Sequence, residues 1–159
     1  MPERNATSNK QLGDAGEHFA LSQFSFCGRP AAKMPDNWPD YDLVVQDPRD
    51  GRLLKISVKT RSESAGWKTS KFFTFNTALN FDWLVLVFKP SRGAVEAWVI
   101  PRAEAEKHAS LPGPTRKDRQ NRDLSWSKLT KGPLADYRGN WELLDRPPTQ
   151  SAVPPSTNG

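Results

Sequence analysis

Residues 81–88 read Phe-Asp-Trp-Leu-Val-Leu-Val-Phe, and this run constrains the fold more than any other segment. Its near-continuous apolarity lacks the alternation of a half-exposed strand, so both faces of the strand need cover. A strand of that kind belongs in the middle of a sheet. Further strand signals lie at Tyr41 to Gln46, Leu53 to Thr60, Lys71 to Asn76 and Ala94 to Ile100, the last closed by Pro101. A Pro/Asp/Gly turn joins the first two. From Gln11 to Gln23, apolar residues at Leu12, Ala15, Phe19 and Ala20/Leu21 recur at spacings of three and four, which predicts an amphipathic helix. Gly13 and Gly16 weaken its propensity but let it pack closely on a sheet. A short helix is expected from Arg102 to Ala109. Helix, strands and a short helix in that order predict an α/β or α+β domain with one mixed sheet.

The chain has 159 residues, which fits one domain with a real core. A hydrophobic fraction of 36% and 14 prolines predict that part of it is unpacked. Residues 1–10 read as a flexible arm, 11–145 as the domain, and 146–159 as a disordered Pro-rich tail without an acidic residue. Within the domain, residues 112–131 read as a basic loop. Residues 133–144 read as a terminal helix or turn, with Trp141 pinning it to the core. Cys27, the only cysteine, follows Phe24 and Phe26 and reads as a small core residue. One cysteine excludes a disulfide within the chain. His18 and His108 stand alone, so no zinc spacing exists. No run has the length of a membrane span and the N-terminus lacks a signal-peptide core, so a cytoplasmic location is expected. A net charge of +5 and a pI near 9.5 favour a polyanionic partner.

Chemistry concentrates in the segment 39–60. Asp40 and Asp42 open one predicted strand, and Lys59 stands near the end of the next. A hairpin of this kind brings carboxylate and ammonium to one end of a sheet, which suits a divalent cation and a phosphodiester. Side chains alternate along the second strand, so Lys55, Ser57 and Lys59 share one face and Ile56 and Val58 the other. No Ser/His/Asp set, Walker loop or dinucleotide fingerprint is present.

The ordered pieces Gly13-Asp14-Ala15-Gly16-Glu17, then Asp42 before Leu43-Val44-Val45, then Ser57-Val58-Lys59 resemble the PD-(D/E)XK nuclease superfamily, the restriction-endonuclease-like fold. The chain looks closest to small resolvase-like and uncharacterised members of that group. The resemblance spans roughly Gln11 to Phe88. It implies an α/β fold with a mixed central sheet flanked by helices, and a metal-dependent endonuclease acting on DNA, possible homodimers included. It implies Asp42 as main ligand of Mg²⁺ or Mn²⁺, with Asp40 as its rival, Glu17 as a second ligand, and Lys59 as the residue that positions water or offsets phosphate charge. Ser57 stands where the family carries an acid, and a neutral hydroxyl is a poor ligand for a hard cation. Glu17 or Glu63 supplies the missing carboxylate, or substrate and water complete a weak site, or the site is degenerate and the fold serves as a nucleic-acid- or protein-binding module.

Arg61, Lys68 and Lys71 follow the Lys59 strand and are expected to meet phosphates, with Trp67 between them as a lid or stacking surface or as packing. The basic residues from Arg116 to Lys131 read as a solvated loop anchored by Trp126. Trp83 and Trp98 read as core, Trp38 as a neighbour of the site, and Asp82 as a structural cap.

Overall fold

The computed structural model describes residues 7–149. Helix α1 runs Asn9–Phe26. Ser8 caps it: the Gln11 N–H donates to Ser8 Oγ at 3.1 Å, and the Ser8 N–H donates to the Gln11 side chain at 3.1 Å. This reciprocal capping box fixes the start within the expected arm, so the helix takes over residues 9 and 10. The arm before Thr7 and the tail beyond Thr149 lie outside the described residues. Gly28, at φ 74°, reverses the chain after the helix.

The strands are β1 (Ala31–Lys33), β2 (Leu43–Gln46), β3 (Leu53–Ser62), β4 (Phe72–Asn76), β5 (Trp83–Lys89), β6 (Glu96–Pro101) and β7 (Asn121–Ser125). The short helices are α2 (Ala65–Thr69), α3 (Arg102–His108) and α4 (Trp126–Thr130), and a 3-10 turn follows at Ala135–Tyr137. The main sheet has the order β1-β2-β3-β5-β6, with β3 and β5 parallel and every other pair antiparallel. In β5 every residue from Trp83 to Phe88 is buried. The apolar run is therefore the covered strand that its composition requires, between β3 and β6.

Alternation along these strands splits the interior into two cores. Val85, Val87, Ile56, Val58 and Val99 point to one face, beneath Ala20 and Phe24 of α1 and Trp141. Leu84, Leu86, Phe88, Trp98 and Ile100 point to the other, beneath Trp67, Phe73, Phe75 and Leu124. The chain from 63 to 82 crosses this second face, as a parallel β3–β5 pair requires.

Several expectations are corrected. β4 leaves the main sheet and forms a two-stranded sheet with β7. The expected basic loop 112–131 holds β7 and α4, and β1 at Ala31–Lys33 is a strand that no sequence signal marked. The buried stripe of α1 is Gly16, Ala20 and Phe24, while Ala15 is exposed. Cys27 is exposed at the helix end, because the stripe turns away from the core after Phe24. Trp83, Trp98 and Trp141 are buried as expected. Among the described residues no helix is long and apolar enough to cross a membrane.

Candidate metal and phosphodiester site

The site begins with a backbone irregularity. Ile56 is the ladder partner of Leu43, yet its carbonyl also accepts the Asp42 N–H at 2.9 Å. Two residues of one strand thus oppose one of the other, the pattern of a β-bulge, which re-aims side chains where strands part. Just before it, the Tyr41 N–H closes a three-residue turn on the Pro39 carbonyl at 3.0 Å, with Asp40 at φ 75°. Asp40 is spent on the turn. Asp42 is locked by three bonds: the one to Ile56, the Met34 N–H donating to its carbonyl at 2.9 Å, and the Val58 N–H donating to its Oδ2 at 2.7 Å.

Glu17 comes from α1 on the first face and lies against Asp42. Partial burial raises its pKa above the ordinary carboxylate value, and the neighbouring Asp42 carboxylate raises it further; Lys33 opposes both. The Lys33 Nζ stands 3.3 Å from Glu17 Oε2 and 3.2 Å from Asp36 Oδ1. Lys10 pairs with Asp14 at 3.0 Å and with Asp36 at 3.6 Å. These residues line a cavity of about 280 Å³ with Gly13, Met34, Pro35 and Asn37.

Ser57 and Lys59 flank Val58, the residue Asp42 holds. Ser57 is buried against the second core, opposite Leu84. Lys59 is half-buried opposite Leu86, and its ammonium has no hydrogen bond or ion pair among the described residues. Standard backbone dimensions and the 2.7 Å bond to Val58 place the Lys59 Cα within about 8 Å of Asp42 Oδ2. Glu17 and Asp42 line one cavity at the rim, while Lys59 leaves β3 on the opposite face.

The donor set suits a hard divalent cation in its chemistry: adjoining carboxylates whose mutual repulsion a cation relieves. Among the described residues, however, no group of three or more His, Cys, Asp or Glu side chains gathers as for a metal. Glu63 supplies no third acid, since it accepts from the Ser91 N–H at 2.8 Å and the Ser91 hydroxyl at 3.0 Å, beyond the far end of β3.

The other named residues divide. Lys68 and Lys71 are exposed. Arg61 Nη1 donates to the carbonyls of Ser70 at 3.0 Å and Phe72 at 2.8 Å, and its guanidinium lies 4.9 Å from the centre of the Trp67 ring. It clamps the start of β4, and burial lowers its pKa. Trp67 is buried against Phe73, Phe88 and Trp126, so packing rather than a lid or stacking platform describes it. Asp82 accepts the Lys55 N–H at 2.8 Å and is a structural cap. Trp126 anchors its segment against Phe88 and Trp98. Trp38 is partly exposed, edge-on to Tyr41. Sequence reasoning missed Lys33 and Asp36: three strand residues are too few to show a period, and the pair joins the site only because β1 lies beside β2.

No family model matches the sequence, and no curated protein does. Among solved structures, a bacterial homing endonuclease is similar at 20% identity and a TM-score of 0.55, over 88% of this chain and 93% of that one. A Holliday junction resolvase from the archaeal hyperthermophile Archaeoglobus fulgidus gives 16% identity and a TM-score of 0.45, over 72% of this chain and 84% of that one. The chain has the restriction-endonuclease-like α/β fold, a mixed five-stranded sheet flanked by helices.

Proposed function

We propose that this chain is an endonuclease acting on DNA, with Asp42 and Glu17 holding Mg²⁺ or Mn²⁺. The observation that carries the reading is that both carboxylates line one cavity at the rim where β2 leaves β3. A bound divalent cation supplies Lewis acidity toward a phosphate oxygen and lowers the pKa of a water. The chain's own residues do the rest. The Val58 N–H fixes one Asp42 oxygen, leaving the other for ligation. Glu17 brings the second charge from α1. The Lys59 ammonium, without a protein partner among the described residues, offsets charge that develops on the phosphate. Lys68 and Lys71 contact flanking phosphates in this reading, and two copies of the chain serve the two strands of a duplex.

The test is cleavage of supercoiled plasmid and of four-way branched DNA, with Mg²⁺ or Mn²⁺ and with EDTA. Wild type is expected to cut only with metal. Asp42→Asn, Glu17→Gln and Lys59→Ala are each expected to lose activity at least about a hundredfold, the scale of losing an electrostatic transition-state contact. Undiminished cutting by Asp42→Asn and Lys59→Ala removes them from the mechanism. Ser57 favours a second reading, a binding module without catalysis, because the acid expected there is replaced by a buried hydroxyl. Salt-sensitive DNA binding without metal binding by calorimetry supports that reading. Cutting gained by Ser57→Glu shows that only this ligand was lacking.

A further inference from the structure

Lys33 lines the same cavity as Glu17 and Asp42 and belongs to none of the three sequence motifs. It ends β1, the edge strand, in register with Leu43. Its ammonium reaches Glu17 across 3.3 Å, and both side chains are largely withdrawn from water, at 18% and 19% exposure. Glu17 in turn adjoins Asp42. Two carboxylates and one ammonium therefore share a poorly screened space, where opposite charges interact more strongly than on an open surface. The same ammonium already touches Asp36 at 3.2 Å, and Asp36 is exposed at the mouth of the cavity, within 3.6 Å of Lys10.

We propose that Lys33 is the resident counter-ion of the Glu17–Asp42 pair, competing with a divalent cation for it and withdrawing to Asp36 when that cation binds. The inference rests on the metal-binding reading given above. Its physical basis is charge balance. Without metal, one ammonium partly offsets two adjoining carboxylates. A divalent cation at the same carboxylates makes a third positive charge there unfavourable, and Asp36 gives the ammonium somewhere to go without breaking its remaining ion pair. Lys33 is a positioning residue in this account: it sets how much metal is required to charge the site, and it leaves the reacting atoms to Asp42, Glu17 and Lys59.

The experiment is calorimetric titration of the full chain with manganese chloride, comparing wild type with Lys33→Met, Lys33→Arg and Asp42→Asn. Lys33→Met keeps most of the stem and removes the charge. It is expected to bind Mn²⁺ about tenfold more tightly than wild type, the size of one carboxylate–ammonium interaction. Lys33→Arg is expected to stay near wild type, and Asp42→Asn to abolish binding with either residue at 33. Thermal melts in EDTA supply a second readout. Lys33→Met is expected to melt lower than wild type, and the drop is expected to shrink when Glu17→Gln is also present. If Lys33→Met folds poorly, Lys33→Gln carries the same comparisons. Unchanged or weaker Mn²⁺ affinity in the neutral variants, with Asp42→Asn still abolishing binding, overturns the competition and leaves the metal site standing. No Mn²⁺ binding by any variant overturns both.

Discussion

Asp40 and Asp42 stand two residues apart in the same polar stretch, and side-chain chemistry alone makes them equivalent. The backbone separates them. Asp40 holds a φ of 75° in the turn after Pro39, a conformation that strains residues other than glycine by about 1–3 kcal/mol. Asp42 sits in the bulge with its carboxylate on the Val58 N–H. Asp40→Gly is therefore expected to raise stability by about 0.5–1 kcal/mol in urea unfolding, the usual gain when glycine relieves a left-handed residue offset by its greater unfolded-state entropy. It is also expected to keep the metal affinity of wild type. Asp42→Asn retains an acceptor for Val58, so it is expected to fold while losing the charge a cation needs. The motif pattern made Asp42 legible as a candidate. The choice over Asp40 was not legible, because it depends on two hydrogen bonds to Ile56 and Pro39 that no residue type encodes.

At the scale of elements, the contact between α1 and β3 decides whether Glu17 reaches the rim. A Cβ on Gly16 would lie 1.8 Å from Thr60 Oγ1 and 2.9 Å from Thr60 Cβ. The helix can descend to this depth only with glycine there, as the sequence implied, although the face it chose includes Gly16 and omits Ala15. Gly16→Ala is expected to cost about 1–3 kcal/mol by overpacking and to weaken Mn²⁺ binding by lifting Glu17. Thr60→Ala in the same chain is expected to recover part of both, since it removes the nearer atom. The β2–β3 turn is held differently. Asp47 is buried, takes the Arg49 N–H at 2.9 Å and Arg49 Nε at 3.0 Å, and its pKa is depressed chiefly by those side-chain bonds to Arg49. A depressed folded pKa gives stability that is present above the unfolded value of about 3.9 and is lost as the pH falls through the folded one. Asp47→Asn is expected to cost about 1–2 kcal/mol at pH 7, with the gap to wild type closing below about pH 4, as read from denaturant midpoints across pH. Both the Pro/Asp/Gly turn and the flanking strands were visible in the sequence. β1 and β7 were not: the first has three residues, and the second, Asn-Arg-Asp-Leu-Ser, carries one buried apolar side chain.

At the scale of the molecule, one apolar strand divides the interior in two, and each core has its own cover. The second core is closed by β4, β7 and the short helices, where Trp67 and Trp126 pack edge to face at 5.3 Å. That use of Trp67 was hidden in the sequence because the surrounding Lys and Arg gave the segment an interface composition. The first core is closed by α1 and by Trp141, whose ring meets Phe24 edge-on at 5.1 Å and Phe19 at 5.9 Å. Among the described residues Trp141 and Leu143 are the C-terminal members of this core, and Trp141 is the one in ring contact with α1. Trp141→Ala is expected to cost about 3–5 kcal/mol, the range for emptying a large aromatic site. Its distinguishing result lies elsewhere in the fold: because α1 carries Glu17, a loosened helix is expected also to lower the Mn²⁺ affinity proposed above, whereas Asp47→Asn, at the other end of the hairpin, is expected to lower stability and leave that affinity unchanged. Phe26→Ala provides the comparison on the same helix. Phe26 is 86% exposed, so its removal is expected to change stability by no more than about 0.5 kcal/mol and affinity not at all. Calorimetry and urea unfolding on the three variants separate a fold that merely supports the rim from one whose first core sets the geometry of Glu17.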